Sequence, residues 1–263
     1  MPYRILGLCI LLGLGACAHT PTPNEVREAK ALYSGAKSLI EEKRYRDALQ
    51  DLQKAEKLYP KDSKTQYLLG VVYFTGFGRT TEAESHLRLA LKHEQKKELV
   101  PQIQNLLGVV LIEDGRPQEA ISHLEKARAN LLYRTPWFAA QNLGLAYLRL
   151  GDASRSIQFL TSALEQDPNL CGAYSQLAEA YDQSDKLVDS ISTLERFFNH
   201  CQSETLKPYV PKTLFASSLY KLGMYHLKND DVDSAKKTFS MCLEEYPALK
   251  IVDDCKKSLK LLQ

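Results

Sequence analysis

The sequence predicts an all-α solenoid: six helical hairpins stacked into a right-handed superhelix and closed by a C-terminal capping helix. Three observations carry this expectation. Pairs of a large residue and a small one, such as Leu69-Gly70, Leu107-Gly108, Leu143-Gly144 and Leu222-Gly223, recur at a near-constant interval. Each is followed at an almost constant offset by small and bulky apolar residues, and a proline ends several of the units. A lone hairpin cannot bury its apolar stripe, so units repeating every ~34 residues must stack on one another.

In the first unit Ala36 takes the small site of the leading helix, Ala48 and Leu52 face inward from the second helix, Ala55 packs beneath, and Pro60 ends the unit. The second unit has Leu69-Gly70, Tyr73, Ala83, Leu87 and Ala90; the third has Leu107-Gly108, Leu111, Ala120, Leu124 and Ala127. The fourth shows Leu143-Gly144, Tyr147, Leu160, Ala163 and Pro168, the fifth Leu177-Ala178, Tyr181, Leu194 and Phe197, and the sixth Leu222-Gly223, Ala235, Phe239 and Pro247. Gly or Ala at the leading-helix site lets the second helix approach, the bulky residues fill the gap, and Pro stops the helix. This is the pattern of the tetratricopeptide repeat. Ile251, Cys255, Leu259 and Leu262 recur at helical spacing between lysines and predict the cap. The organisation is therefore a signal segment at 1–16, a tether at 17–26, six repeats over 27–248 and a capping helix at 249–263. Three links lengthen the period, at Glu94 to Pro101, Leu131 to Pro136 and Ser203 to Pro211.

The first residues follow a different rule. Met1 to Arg4 is a short basic start, Ile5 to Leu14 is apolar, and small residues follow, which is a signal-peptide pattern. The apolar run is shorter than the ~20 residues that a membrane-spanning helix needs. Leu14-Gly15-Ala16-Cys17 resembles the bacterial lipobox, which implies cleavage before Cys17 and acylation of its thiol. Each buried methylene of an acyl chain contributes about 0.8 kcal/mol of anchoring. His19 to Asn24, with Pro21 and Pro23, reads as a stiff tether. Ala18 stands where some inner-membrane lipoproteins carry a retaining Asp, so the expected location is the outer membrane, facing the periplasm.

Composition excludes more than it selects. A net charge of +2, from 34 basic and 32 acidic residues, creates no field that would favour nucleic acid. No phosphate loop, nucleophile elbow or paired-histidine motif appears, and the repeats leave no stretch for a catalytic domain, so neither an enzyme nor a cofactor is expected. Once Cys9 leaves with the signal and Cys17 takes lipid, four cysteines remain in an oxidising compartment. Cys171 and Cys201 bracket one hairpin, which brings both to the same end, and bonding them should stabilise by roughly 3 kcal/mol. Cys242 and Cys255 either pair or stay as buried thiols. A zinc site from Cys171, Cys201 and His200 lacks the usual ligand spacing, and no metal is expected. His86, His93, His123 and His226 lie within amphipathic helices and are expected at the helix surface.

The segment Leu132-Tyr133-Arg134-Thr135-Pro136, followed by Asn142-Leu143-Gly144, resembles the type IV pilus pilotin lipoproteins of the PilF, PilW and Tgl type. The likeness extends more loosely from the lipobox to Pro247. It implies a lipoprotein that binds subunits of the pilus secretin, holds them at the outer membrane and promotes their assembly into a ring. Some members carry a cysteine pair where this chain has Ile112 and Ala146. The competing reading is a general envelope scaffold that serves outer-membrane barrel assembly or cell-wall enzymes.

In such arrays the leading helices line the concave face. The stripe expected there is Tyr33, Ile40, Tyr67, Val71, Phe74, Val109, Ile112, Phe138, Leu145 and Leu148, giving way to Ser175, Glu179 and Asp182 in the fifth unit. An apolar row of this length is covered either by a protein partner or by the chain's own N-terminal segment. A partner would enter as an amphipathic helix or an extended peptide, against a chain that is monomeric on its own. Trp137 opens the leading helix of the fourth unit and is expected to pack between repeats.

Overall fold

The computed structural model describes residues 20–262, and the signal segment and Cys17 lie outside the described residues. Within them are thirteen α-helices and no strand. The hairpins are α1 (Pro23–Glu41) with α2 (Tyr45–Leu58), α3 (Ser63–Val71) with α4 (Thr80–His93), and α5 (Val100–Glu113) with α6 (Pro117–Arg128). They continue as α7 (Pro136–Arg149) with α8 (Ala153–Gln166), α9 (Cys171–Asp182) with α10 (Leu187–Cys201), and α11 (Lys212–Lys228) with α12 (Val232–Glu245). The cap is α13 (Val252–Leu261).

The array starts earlier than the sequence reading placed it. Thr22 caps α1: its hydroxyl accepts the Glu25 amide N–H at 3.3 Å, and the Glu25 carboxylate accepts the Thr22 amide N–H at 2.7 Å. Pro23 sits in the first turn, where its missing N–H costs nothing. The last residues of the segment read as tether, Pro23 to Val26, are therefore helical.

Within each hairpin, the small site sets how closely the helices approach. A Cβ added at Gly108 would lie 2.5 Å from Leu124 Cγ, and one at Gly144 the same distance from Leu160 Cγ. Gly70 meets Leu87 and Gly223 meets Phe239 in the same way, and all four partners are fully buried. The hairpin turns share one device: Lys43, Gly78, Gly115, Gly151, Asp185 and Asp230 all have φ between 57° and 75° at the same register. This left-handed residue reverses the chain in every unit, and three of the six use glycine, which has no Cβ to clash there.

The second unit is the irregular one. Gly70 to Ala83 spans one residue more than Gly108 to Ala120, and the excess is absorbed as a π-helical turn over Val72–Gly76 at the end of α3. Gly76 makes room there for the Tyr45 side chain at the start of α2.

Three overlapping apolar clusters run along the array, one over the first two repeats, one over the second to fourth, and the largest from the fourth repeat to the cap. The Cys242–Cys255 disulfide ties α12 to α13. Leading helices of neighbouring repeats touch one another, α5 with α7 and α7 with α9, whereas the second helices of neighbouring repeats make no comparable contact. The leading helices therefore lie on the inner side of the curve.

Candidate protein-binding face

The inner face is less apolar than its sequence stripe suggests. Ile112 and Leu148 are 5% and 4% exposed, so they belong to the core and not to a groove: each is covered where the next repeat packs against its helix end. Tyr33, Ile40, Tyr67, Val71, Phe74 and Leu145 are half-buried against the same clusters, and Val109 is half-buried as well. Burial pushes the Tyr67 hydroxyl up to about 12, so it stays protonated. Of the ten residues, only Phe138 is well exposed, at 42%.

Polar rungs join successive leading helices in the second half of the array. Asn142 Nδ2 donates to Asn105 Oδ1 at 3.0 Å, and Gln141 Nε2 donates to Gln176 Oε1 at 3.3 Å. One repeat further on, Lys221 Nζ donates to Ser175 Oγ at 3.4 Å and to Glu179 Oε2 at 2.7 Å, while Lys228 holds Asp182 at 2.6 Å. The acidic end predicted for this face is thus neutralised by α11. At the corresponding register the earlier rungs are Tyr33 with Leu68 and Tyr67 with Leu106, so the face changes from apolar to amide at the third repeat. The sequence signal for the rungs is an amide or hydroxyl three residues before one small site, and an amide or lysine two residues before the next.

A pocket of about 270 Å³ opens beside the Gln141 rung, between Phe138 on α7, the turn into α9, and the link before α11. Leu206, Tyr209 and Leu214 form its far wall. Gly172 leaves its floor open, since a Cβ there would stand 3.1 Å from Gln141 Nε2. Tyr209 is 85% exposed, and a 3-10 turn at Lys207–Tyr209 positions it. Beneath lies the Cys171–Cys201 disulfide, with a Cα separation of 6.0 Å, which fixes α9 to the end of α10. The two sulfurs are bonded to each other, so they offer no thiolates to a zinc ion beside His200, whose Nε2 pairs with Asn169 at 3.1 Å.

The histidines are not all at the surface. His86 Nδ1 lies 2.7 Å from Gln66 Oε1 and His123 Nδ1 lies 2.6 Å from Gln104 Oε1, at matching positions of repeats two and three. Burial lowers the pKa of both rings, so each is held neutral as part of an intra-repeat bond. Between the same repeats, Arg116 bridges Glu84, Asp114 and Glu119, and its hydrogen bond holds the Glu84 carboxyl below the usual range. Trp137 packs half-buried on the largest cluster, with its Nε1 enclosed and unbonded. In the link before it Tyr133 is buried against Ala127 and Ala139, while Leu131 and Leu132 are 101% and 54% exposed.

Family models of the tetratricopeptide repeat match residues 39–109, 139–170 and 217–248. No curated protein matches the chain. Among solved structures it is similar to PilW, described as a widely conserved type IV pilus biogenesis factor, at 19% identity and a TM-score of 0.74, over 86% of this chain and 97% of that one. It is similar to pilF of Pseudomonas aeruginosa at 18% identity and a TM-score of 0.68, over 89% and 99%. YrrB, a repeat protein with an unusual peptide-binding site, matches at 20% identity and a TM-score of 0.53, over 71% and 92%. At these identities the likeness is one of fold. The chain is an all-α protein of tetratricopeptide-repeat fold.

Proposed function

We propose that the chain is an outer-membrane lipoprotein, anchored through acylated Cys17 and facing the periplasm, that binds subunits of the type IV pilus secretin and promotes their assembly into multimers. It acts as a scaffold and turns over no substrate. The observation that supports this reading most is co-extension: the array matches two pilus proteins over 97% and 99% of their lengths. A lipobox standing ahead of that array, and the exposed Leu132 within the pilotin-like link, point the same way.

The test is electrophoresis of envelope fractions from a strain lacking the gene. The expected result is secretin monomer in place of the heat-resistant multimer, with the multimer restored by the wild-type chain. Cys17→Ala should leave the chain out of the outer-membrane fraction and fail to restore it. Multimers that persist in the deletion strain would refute the reading.

A further inference from the structure

We propose that the edge of the array bearing the links between repeats rests on the phospholipid surface to which the chain is anchored, with Leu131 and Leu132 entering among the headgroups and Phe138 and Tyr209 beside them. The inference rests on the acylated Cys17 of the proposed function, and it adds a second membrane contact, made by the folded body.

Topology puts these residues on one edge. In a stack of antiparallel hairpins every second helix ends and every leading helix begins at the same edge, and the hairpin turns lie at the other. α1 begins at that edge too, after its cap Thr22. Five residues lead from Cys17 to Thr22, and five residues span at most ~18 Å. Helices such as α7 and α8, of 14 residues each, are about 21 Å long. An anchor this short keeps the link edge at the lipid, with the turn edge a helix length away.

What the edge presents suits a bilayer. Leu131 is 101% exposed and Leu132 54%, at the tip of the third link. The link is held in that shape: the Asn130 carbonyl accepts the Tyr133 N–H at 3.0 Å, the Asn130 side chain accepts the Leu132 N–H at 2.9 Å, and Tyr133 is buried against Ala127 and Ala139. Tyr209, 85% exposed, stands on the fifth link, and the pocket that it shares with Phe138 makes that link and the start of α7 neighbours. The links at 129–135 and 202–211, with the first residue of α11, carry the exposed cations Arg134, Lys207 and Lys212 against one carboxylate, Glu204. Leucine reaching hydrocarbon, tyrosine at the interface and basic side chains near the phosphates match the layers of a bilayer surface. The exposed apolar residues beside the hairpin turns, Phe77, Leu150, Val188 and Val232, come singly, and each is less exposed than Leu131 or Tyr209. A protein partner would meet the same leucines, but only a lipid surface is held at this edge by the chain itself.

Trp137 is the chain's only tryptophan and adjoins Phe138, so its emission reports lipid at this edge without a label. The lipidated chain is purified from membranes and reconstituted into phosphatidylcholine–phosphatidylglycerol vesicles, with the phosphatidylcholine either plain or brominated high on its acyl chains. Bromination should quench Trp137 in the wild-type chain. Leu131→Asp/Leu132→Asp should lose most of that quenching, whereas Val188→Asp at the turn edge should keep it. Equal emission in plain and brominated vesicles, from a chain whose N-terminal peptide has the mass of an acylated cysteine, overturns the inference alone; this comparison needs no variant. Quenching that persists in the double variant overturns the role of the two leucines. Equal emission combined with loss of secretin multimers in cells carrying that variant assigns the link to a protein partner instead and overturns the lipid contact. An N-terminal peptide without acyl groups overturns the anchor and the inference with it. Multimers retained in the deletion strain overturn the secretin reading alone, because no secretin enters the vesicle measurement.

Discussion

Replacing Gly108 with alanine tests the packing rule on which every hairpin depends. The new Cβ would stand 2.5 Å from both Cγ and Cδ2 of Leu124, a distance that real Cβ contacts do not reach, and Leu124 is fully buried, so it can shift only against its neighbours. Overpacking of an enclosed site costs about 1–3 kcal/mol, and two contacts this short place Gly108 near the top of that range. Replacing a mid-helix glycine by alanine returns about 1 kcal/mol of helix propensity. The net expectation is a loss of about 2 kcal/mol, or roughly 4–8 °C in unfolding temperature for a chain of this size. Gly35→Ala is the control, because a Cβ there meets nothing within 4 Å, and it should stabilise by about 1 kcal/mol. Thermal and urea unfolding followed by circular dichroism give both values. The decisive measurement is the cycle with Leu124→Ala. Each single substitution should destabilise, and the double variant should be more stable than their sum by about 0.5–3 kcal/mol, since the added methyl then occupies the vacated space. Additivity, or a Gly108→Ala chain as stable as the wild type, would refute the packing argument.

Other expectations follow from the turns, the disulfides, the buried histidines and the exposed link. Lys43→Gly relieves a non-glycine residue at φ 61° and should stabilise by about 1 kcal/mol, read from the urea midpoint. Reducing the disulfides should cost about 3.5 kcal/mol for Cys171–Cys201 and about 3 kcal/mol for Cys242–Cys255, from separations of 30 and 13 residues, with hydrogen exchange rising first in α9, α10 and α13. The folded-state pKa values of His86 and His123 are lowered by burial, so the unfolded chain binds protons more readily. Their contribution is fully present above the unfolded histidine value of about 6.5 and is lost as pH falls below it. Urea midpoints at stepped pH should fall on acidification through that window, and less so in a His86→Gln/His123→Gln chain. Leu132→Asp, at an exposed site, should leave the unfolding free energy within about 0.5 kcal/mol of wild type and, on the function proposed above, reduce secretin multimers in the envelope assay.

The repeats were legible because periodicity is local. A small residue that admits a neighbour, a bulky one that fills the gap and a proline that stops a helix are each readable from residue type and offset alone. Ala48, Leu52, Ala83, Leu87, Ala120 and Leu124 are all fully buried, at the positions the pattern gave them. The inserted residue after Gly70 was visible as a count, but whether a helix absorbs it as a bulge or a longer turn depends on Tyr45 packing on Gly76 from another helix.

What the sequence by itself determined is the kind of array and the number of its hairpins, because each hairpin is specified within its own stretch of chain. The tertiary structure alone decided which inward-facing residues remain available. Ile112 and Leu148 satisfy the stripe pattern as well as Phe138 does, yet the following repeat covers the first two and leaves the third open. Pairing of Cys242 with Cys255, and the alignment of Asn105 with Asn142 and of Gln141 with Gln176, likewise came only with the stacking. The physical reason is that exposure and side-chain pairing between repeats are set by the angle at which one hairpin leans on the next. That angle is a sum of contacts across the interface, and no single stretch of sequence contains it.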